Sequence, residues 1–186
     1  GLLAYLLGSI PFGIVMARLF GLGDLRTIGS GNIGATNVLR TGNKLAAFLT
    51  LLGDAGKGAV AVLLAYWLVG PDAAQVAALA AFVGHAWPVF IGFRGGKALA
   101  TFLGTFLALA PPLGAALCLT WLATAAAFRM SSLAGLVAAV SAPFWAIWLR
   151  PDAVALAATL AVMIVAFHRT NIARIRAGTE PRIGKK

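Results

Sequence analysis

Residues 45–69 read LAAFLTLLGDAGKGAVAVLLAYWLV. At about 1.5 Å per residue, such a run as a helix outlasts a hydrocarbon core about 30 Å thick. A helix satisfies its own backbone there, whereas an open strand cannot. Two charges interrupt the run: Asp54 and Lys57, among Gly53, Gly56 and Gly58. Their i, i+3 spacing brings them together on a helix, and charges at membrane depth are costly unless paired or used. The stretch predicts a spanning helix with an internal ion pair that supports a site without touching substrate.

Six further apolar runs flank it. The first covers about Gly1 to Phe20, with Gly8, Pro11 and Gly13 inviting a kink or break, and has neither the basic n-region nor the cleavage site of a signal peptide. The others run from Ala73 to Ile91, from after Lys97 to Ala110, from Leu113 to Phe128, from Ser132 to Leu149 and from Ala153 to Phe167. Gly70-Pro71-Asp72 and Pro111-Pro112 punctuate them. The reading is an all-α polytopic membrane protein, one domain over residues 1–186, with about seven transmembrane helices. Because the fourth run is short, five full spans plus a re-entrant pair is the competing count.

Composition agrees. The chain is 61% hydrophobic and only 11% charged, with mean hydropathy +0.93, against roughly 25% charge in soluble domains. No period-two alternation suggests an outer-membrane barrel. The net charge of +10 sits in short loops and a tail, which argues for orientation in a membrane and against nucleic-acid binding. Arg18, Arg26, Arg40, Lys44, Arg94, Lys97, Arg129, Arg169, Arg174, Arg176, Arg182, Lys185 and Lys186 fall on the tail's side, and only Arg150 on the other. The expected topology is therefore N-terminus external and C-terminus cytoplasmic, in the cytoplasmic membrane. Tyr66, Trp67, Trp145 and Trp148 fall near external ends, as in an aromatic belt. The lone Cys118 forms no disulfide framework.

Three polar islands then share the cytoplasmic face. Ser30-Gly31-Asn32-Ile33-Gly34-Ala35-Thr36-Asn37 is a run of small, hydrogen-bonding residues. Gly31 and Gly34 permit unusual backbone angles, successive amides can form an anion nest, and Arg40 lies one helical turn on. Its plain alternative is a glycine-rich turn with helix caps. Gly95-Gly96-Lys97 opens the fourth run, so its amides are expected to point from a helix N-terminus, a setting that favours anions. Lys97 reads equally as a snorkelling interface cation. His168 and Asn171, spaced i, i+3 with Arg174 continuing the face, close the last run. His85 reads as a packed hydrogen-bonding residue.

Absences narrow the chemistry. The five acidic residues are scattered, with no Cys/His cluster, so no metal site and no cofactor is expected. Neither histidine is followed by aspartate in a His-x-x-x-x-Asp spacing, so no histidine–aspartate relay is legible. An organic-phosphate transporter is the rival class, but it would call for internal repeats, and the two halves show none convincing.

Taken in order, five stretches resemble the bacterial acyl-phosphate–glycerol-3-phosphate acyltransferases, the PlsY family. They are Gly8-Ser9-Ile10-Pro11-Phe12-Gly13; Ser30 to Asn37; Asp54-x-x-Lys57-Gly58; Gly84-His85-x-x-Pro88 running into Phe93-x-Gly95-Gly96-Lys97; and His168-x-x-Asn171-Ile172 with Gly178 and Glu180. One departure stands out: Ala98 replaces a usual glycine, and a local backbone adjustment is expected there. The resemblance implies acyl transfer from acyl phosphate to the 1-hydroxyl of sn-glycerol 3-phosphate, giving lysophosphatidate and phosphate, without CoA. It implies that Ser30, Arg40, Lys97, His168 and Asn171 hold glycerol 3-phosphate, with Arg40, Lys97 and His168 the catalytic set. Thr36, Asn37, Gly95 and Gly96 would hold the acyl-phosphate head group, with the acyl chain in a groove open to membrane lipid. Two groups are candidates for the acceptor's proton, His168 and the acceptor's own phosphate; without a carboxylate to orient the histidine, the phosphate is favoured.

Overall fold

A computed structural model describes residues 1–184, so Lys185 and Lys186 of the basic tail lie outside the described residues. The described chain is helical and falls into two compact units, Gly1–Leu109 and Ala110 onward.

In the first unit the opening run breaks into α1 (Leu2–Gly8) and α2 (Phe12–Leu19). Pro11 has no N–H to continue the ladder, and it stands as the N-cap of α2. After a 3-10 turn at Leu25–Thr27 come the short α3 (Ala35–Leu39), the long α4 (Lys44–Leu68) and α5 (Pro71–Ala86). A second 3-10 turn, Val89–Ile91, precedes α6 (Leu99–Leu109). Asn43 starts α4 by accepting a hydrogen bond from the Ala46 amide at 2.9 Å, and Pro71 occupies the first turn of α5, where its missing donor costs nothing.

α4 is the hub, packing on α1, α2, α3, α5 and α6. The close approaches use small residues, the usual device for helices that meet without a hydrophobic driving force. A Cβ on Gly8 would strike the Ala81 carbonyl, one on Gly84 the Tyr5 carbonyl, and one on Gly104 the Ala55 carbonyl. Gly13 is fitted in the same way against the Ile33 carbonyl, which seats the polar loop on α2.

The second unit contains α7 (Pro111–Phe128), α8 (Ser131–Leu149), a 3-10 turn at Pro151–Ala153, α9 (Val154–Phe167) and α10 (Arg169–Arg176). α8 packs between α7 and α9, and the Trp145 indole donates to Thr120 Oγ1 at 3.3 Å. The helix breaks at Ala110, where the backbone is extended, and Pro111 and Pro112 open α7. The tail returns to the α7–α8 corner, where the Ile183 amide donates to the Arg129 carbonyl at 2.6 Å.

Among the described residues, five helical segments are long and apolar enough to cross a membrane: Leu2–Leu19, Lys44–Leu68, Pro71–Ile91, Pro111–Phe128 and Ser131–Leu149. A sixth exists if Pro151–Phe167 and Arg169–Arg176 count as one span bent by 63°. Leu99–Leu109 has 11 residues, about 16 Å of helix. The short fourth run thus falls below the length of a full crossing, and the count is five to six against the seven expected. Leu3, Trp67, Leu68, Phe144, Trp148 and Val162 are exposed, as suits side chains that meet lipid.

Candidate active site

The Ser30–Asn37 island folds around one side chain. Asn37 is 1% exposed. Its amide nitrogen donates to the carbonyls of Leu25 at 2.8 Å and Asn32 at 2.7 Å. Its Oδ1 accepts from the Ser30 amide at 3.1 Å, the Ser30 hydroxyl at 3.3 Å and the Arg40 guanidinium at 3.4 Å. Asn37 was expected at the acyl-phosphate head group; both its N–H bonds are instead committed inside the loop. It works as the clamp that brings Ser30 and Arg40 together, and both of these are exposed.

The nest expectation changes in the same way. The Ser30 amide is held by Asn37, and the Gly31 amide donates to the Ile28 carbonyl at 2.9 Å. Gly31 has φ +68, as its type allows. Gly34, paired with it in expectation, is extended and roomy, with nothing nearer to a Cβ than Asn32 Oδ1 at 4.0 Å. The glycine that sequence reading missed is Gly29. It combines φ +54 with a Cβ position 2.6 Å from Asn37 Oδ1 and 2.7 Å from Arg40 Cδ. A side chain there would push Arg40 from the clamp.

The Gly95-Gly96-Lys97 segment corrects a second expectation. It does not open a helix. α6 starts at Leu99, and the Gly95 and Gly96 amides donate to the Ala86 and His85 carbonyls, each at 3.2 Å. The segment is stitched to the carboxyl end of α5, so those two amides do not face an anion. Ala98 has φ +58, in the left-handed region that suits glycine, so alanine is held there under strain. The Arg26 guanidinium reaches the Arg94 carbonyl at 3.0 Å and joins this segment to the Ser30 loop. Thr36 is exposed and Lys97 half-buried.

Beneath them lies a buried charged cluster. Lys57 Nζ is 2.9 Å from Asp54 Oδ1 and donates at 2.7 Å to the Ile10 carbonyl. That carbonyl sits at the break between α1 and α2, where the ladder stops. Thr101 donates to the Asp54 carbonyl at 2.9 Å, and His85 Nδ1 lies 3.4 Å from Asp54 Oδ1. Sequence spacing held no histidine–aspartate pair, yet α4 and α5 bring one together. The signal was tertiary, because the residues lie on separate helices and no local period links them.

In the second unit His168 is 3% exposed and sits at the bend between α9 and α10, so it and Asn171 are not on one continuous helix. His168 Nδ1 meets the Ile164 carbonyl at 2.8 Å, which sets the proton on Nδ1 when the ring is neutral. Asn171 donates to Glu180 Oε1 at 2.6 Å, and so does the Ser132 hydroxyl. Arg174 donates to Glu180 Oε2 at 2.7 Å. Burial pushes the Glu180 carboxyl up, but the hydrogen bonds from Ser132, Asn171 and Arg174, with the Arg174 charge, outweigh it and hold the group below its ordinary value. Ser132 and the organising part played by Glu180 escaped sequence reading, since Ser132 lies far from the tail in the chain.

Residues 1–178 match the family model described as glycerol-3-phosphate acyltransferase. The chain is 69% identical to the glycerol-3-phosphate acyltransferase of Jannaschia sp. (strain CCS1), over 99% of this chain and 91% of that one. It is 65% identical to that of Cereibacter sphaeroides (strain ATCC 17025 / ATH 2.4.3), over 100% and 89%. Among solved structures it is similar to PlsY (YgiH), an integral membrane glycerol 3-phosphate acyltransferase. In its glycerol 3-phosphate form the TM-score is 0.92 at 40% identity, over 98% of this chain and 93% of that one. In its lysophosphatidic acid form the TM-score is 0.89 at 39% identity, over 97% and 92%. The chain belongs to the glycerol-3-phosphate acyltransferase family of integral membrane enzymes.

Proposed function

We propose that this enzyme transfers a fatty acyl group from acyl phosphate to the 1-hydroxyl of sn-glycerol 3-phosphate, releasing lysophosphatidate and inorganic phosphate. The acceptor oxygen bonds to the acyl carbon, and the bond from that carbon to the donor's phosphate oxygen breaks. Phosphate leaves with the bonding pair. The donor is already a mixed anhydride, so no covalent enzyme intermediate is needed, and catalysis rests on positioning and charge stabilisation. The acceptor's own phosphate, with a second pKa of about 6, takes the hydroxyl proton. The engagement of His168 Nδ1 by a backbone carbonyl, not a carboxylate, supports that choice.

The observation that carries this reading is the clamp formed by Asn37, which holds Ser30 and Arg40 together in a chain of this family. Ser30, Arg40 and Lys97 are proposed to hold the acceptor's phosphate, and the resemblance adds His168 and Asn171. Thr36 and the Gly95-Gly96 backbone are proposed to border the donor's head group. Gly95 and Gly96 border it with their backbone alone, since their amides are engaged and their side-chain positions are filled by the end of α5 and the His85 ring, and Asn37 acts through the clamp. Asp54 and Lys57 support the first unit from within. We place the enzyme in the bacterial cytoplasmic membrane, with seven crossings if α6 dips through as a short span. The N-terminus is external, and the tail and polar islands are cytoplasmic, on the strength of the basic-residue count.

Purified enzyme given acyl phosphate and labelled glycerol 3-phosphate should yield lysophosphatidate and phosphate in equal amounts. Turnover with acyl-CoA equal to that with acyl phosphate would overturn the donor assignment. A reporter fused after the tail and active only outside the cell would overturn the orientation.

A further inference from the structure

The function of His85 is not exhausted by packing. The ring is 4% exposed, and its two nitrogens meet different parts of the first unit. Nδ1 lies 3.4 Å from Asp54 Oδ1, and Asp54 is itself held by Lys57 at 2.9 Å. Nε2 stands where a Cβ on Gly96 would begin. The His85 carbonyl accepts the Gly96 amide at 3.2 Å, and the neighbouring Ala86 carbonyl accepts that of Gly95. Asn32 Oδ1, from the Ser30 loop, lies 3.3 Å from the same Cβ position; it is buried with no hydrogen-bond partner among the described residues. One residue thus meets the segment before Lys97 with its main chain and with its ring, while the buried Asp54 carboxylate faces the ring's other edge.

From this geometry we infer that His85, packed beside Asp54, is a positioning residue. Its imidazole sets the backbone of Gly95 and Gly96 and so the point from which Lys97 is presented to the acceptor's phosphate. Gly96 is a glycine because the ring occupies its side-chain space. The inference rests on the reading of Lys97 as an acceptor ligand. Two routes lead to the same segment, the 3.2 Å carbonyl contact and the ring contact, and only the second depends on the identity of the side chain at position 85. The backbone stitch therefore survives substitution while the ring's guidance is lost, which separates positioning from gross unfolding.

The test uses full-length enzyme in one detergent, with acyl phosphate held saturating and glycerol 3-phosphate varied. Misplacing a binding group by a fraction of its reach costs roughly 10- to 100-fold. His85→Ala should therefore lower kcat/KM for glycerol 3-phosphate by about that factor, mainly through KM. His85→Gln, whose terminal amide reaches the Nε2 position, should recover part of the loss, and His85→Asn, which reaches only the Nδ1 position, should not. Gly96→Ala should be impaired on its own, and the Gly96→Ala/His85→Ala double variant should be no worse than His85→Ala alone, because the clash is gone. Losses that multiply in the double variant would overturn the inference. So would a His85→Ala enzyme with unchanged KM whose only defect is a lower melting midpoint, since that is the signature of packing. If His85→Ala does not accumulate as folded protein, the Gln and Asn variants carry the same comparison. Wild-type enzyme inactive with glycerol 3-phosphate would instead defeat the underlying functional reading.

Discussion

Each unit is organised by one buried carboxylate, and the two are built on opposite plans. Asp54 lies mid-helix in α4, 2% exposed, with a cation one turn along the same helix. Glu180 lies in the tail beyond α10, its side chain 4% exposed, and gathers Ser132, Asn171 and Arg174 from the start of α8 and from α10. Asp54 is locked by secondary structure and has no water to fall back on. Glu180 is locked by tertiary contacts, and its tail can release it. A carboxylate in an apolar span is thus a requirement of folding, whereas one in a tail is a fastening whose strength follows its protonation.

The largest effect should come from breaking the first plan. Lys57→Ala leaves a buried carboxylate without its cation and removes the side-chain donor of the Ile10 carbonyl, at a cost of about 3–5 kcal/mol. Melting midpoint and yield in detergent should fall, and neutralising Asp54 as well should restore part of the loss. A stable but catalytically dead Lys57→Ala protein would move Lys57 into the chemistry.

Lys97→Ala sharpens the contrast between a cation that holds the fold and one proposed to hold substrate. Loss of a charged ligand costs about 2–4 kcal/mol in transition-state binding, or roughly 30- to 1000-fold in kcat/KM, with the melting midpoint close to wild type. Unchanged kinetics would remove the anchor of the proposed site.

The second plan can be released with acid. The Glu180 carboxyl is held below its ordinary value of 4.5. Its stabilising contribution is fully present above that unfolded-state value and is lost as pH falls through the lower folded value. Stability should therefore decline with acidity below about pH 4.5, and Glu180→Gln should flatten that part of the profile, at a cost of about 1–2 kcal/mol near neutral pH. An identical acid limb in the variant would assign it to other carboxylates. The smallest effect concerns neither carboxylate. Ala98→Gly should relieve the left-handed strain and stabilise the enzyme by about 1 kcal/mol or less, read as a small rise in melting midpoint.

The two plans also differ in how far sequence revealed them. Asp54 and Lys57 were legible because a helix turns an i, i+3 spacing into proximity. The partners of Glu180 were not, since Ser132 is drawn in by a chain reversal that no periodicity announces. The His85–Asp54 approach was hidden for the same reason. The Ser30–Asn37 island was recognised as polar and compact, but its internal wiring was not. An asparagine that serves a ligand and one that ties a loop look alike in sequence. The helical start placed at Gly95 failed because the turn chemistry of Gly95 to Ala98, bound back to α5, outranked the apolar run that follows.

The Lys57 side chain bonds a carbonyl 47 positions earlier in the chain, at the interruption between α1 and α2. The Phe12 amide also donates to that oxygen, at 3.1 Å, so the interruption is bridged once from within its own segment and once from α4. The proline that divides the segment and the ammonium that bonds beside the division thus make one long-range fastening of α1 and α2 to α4.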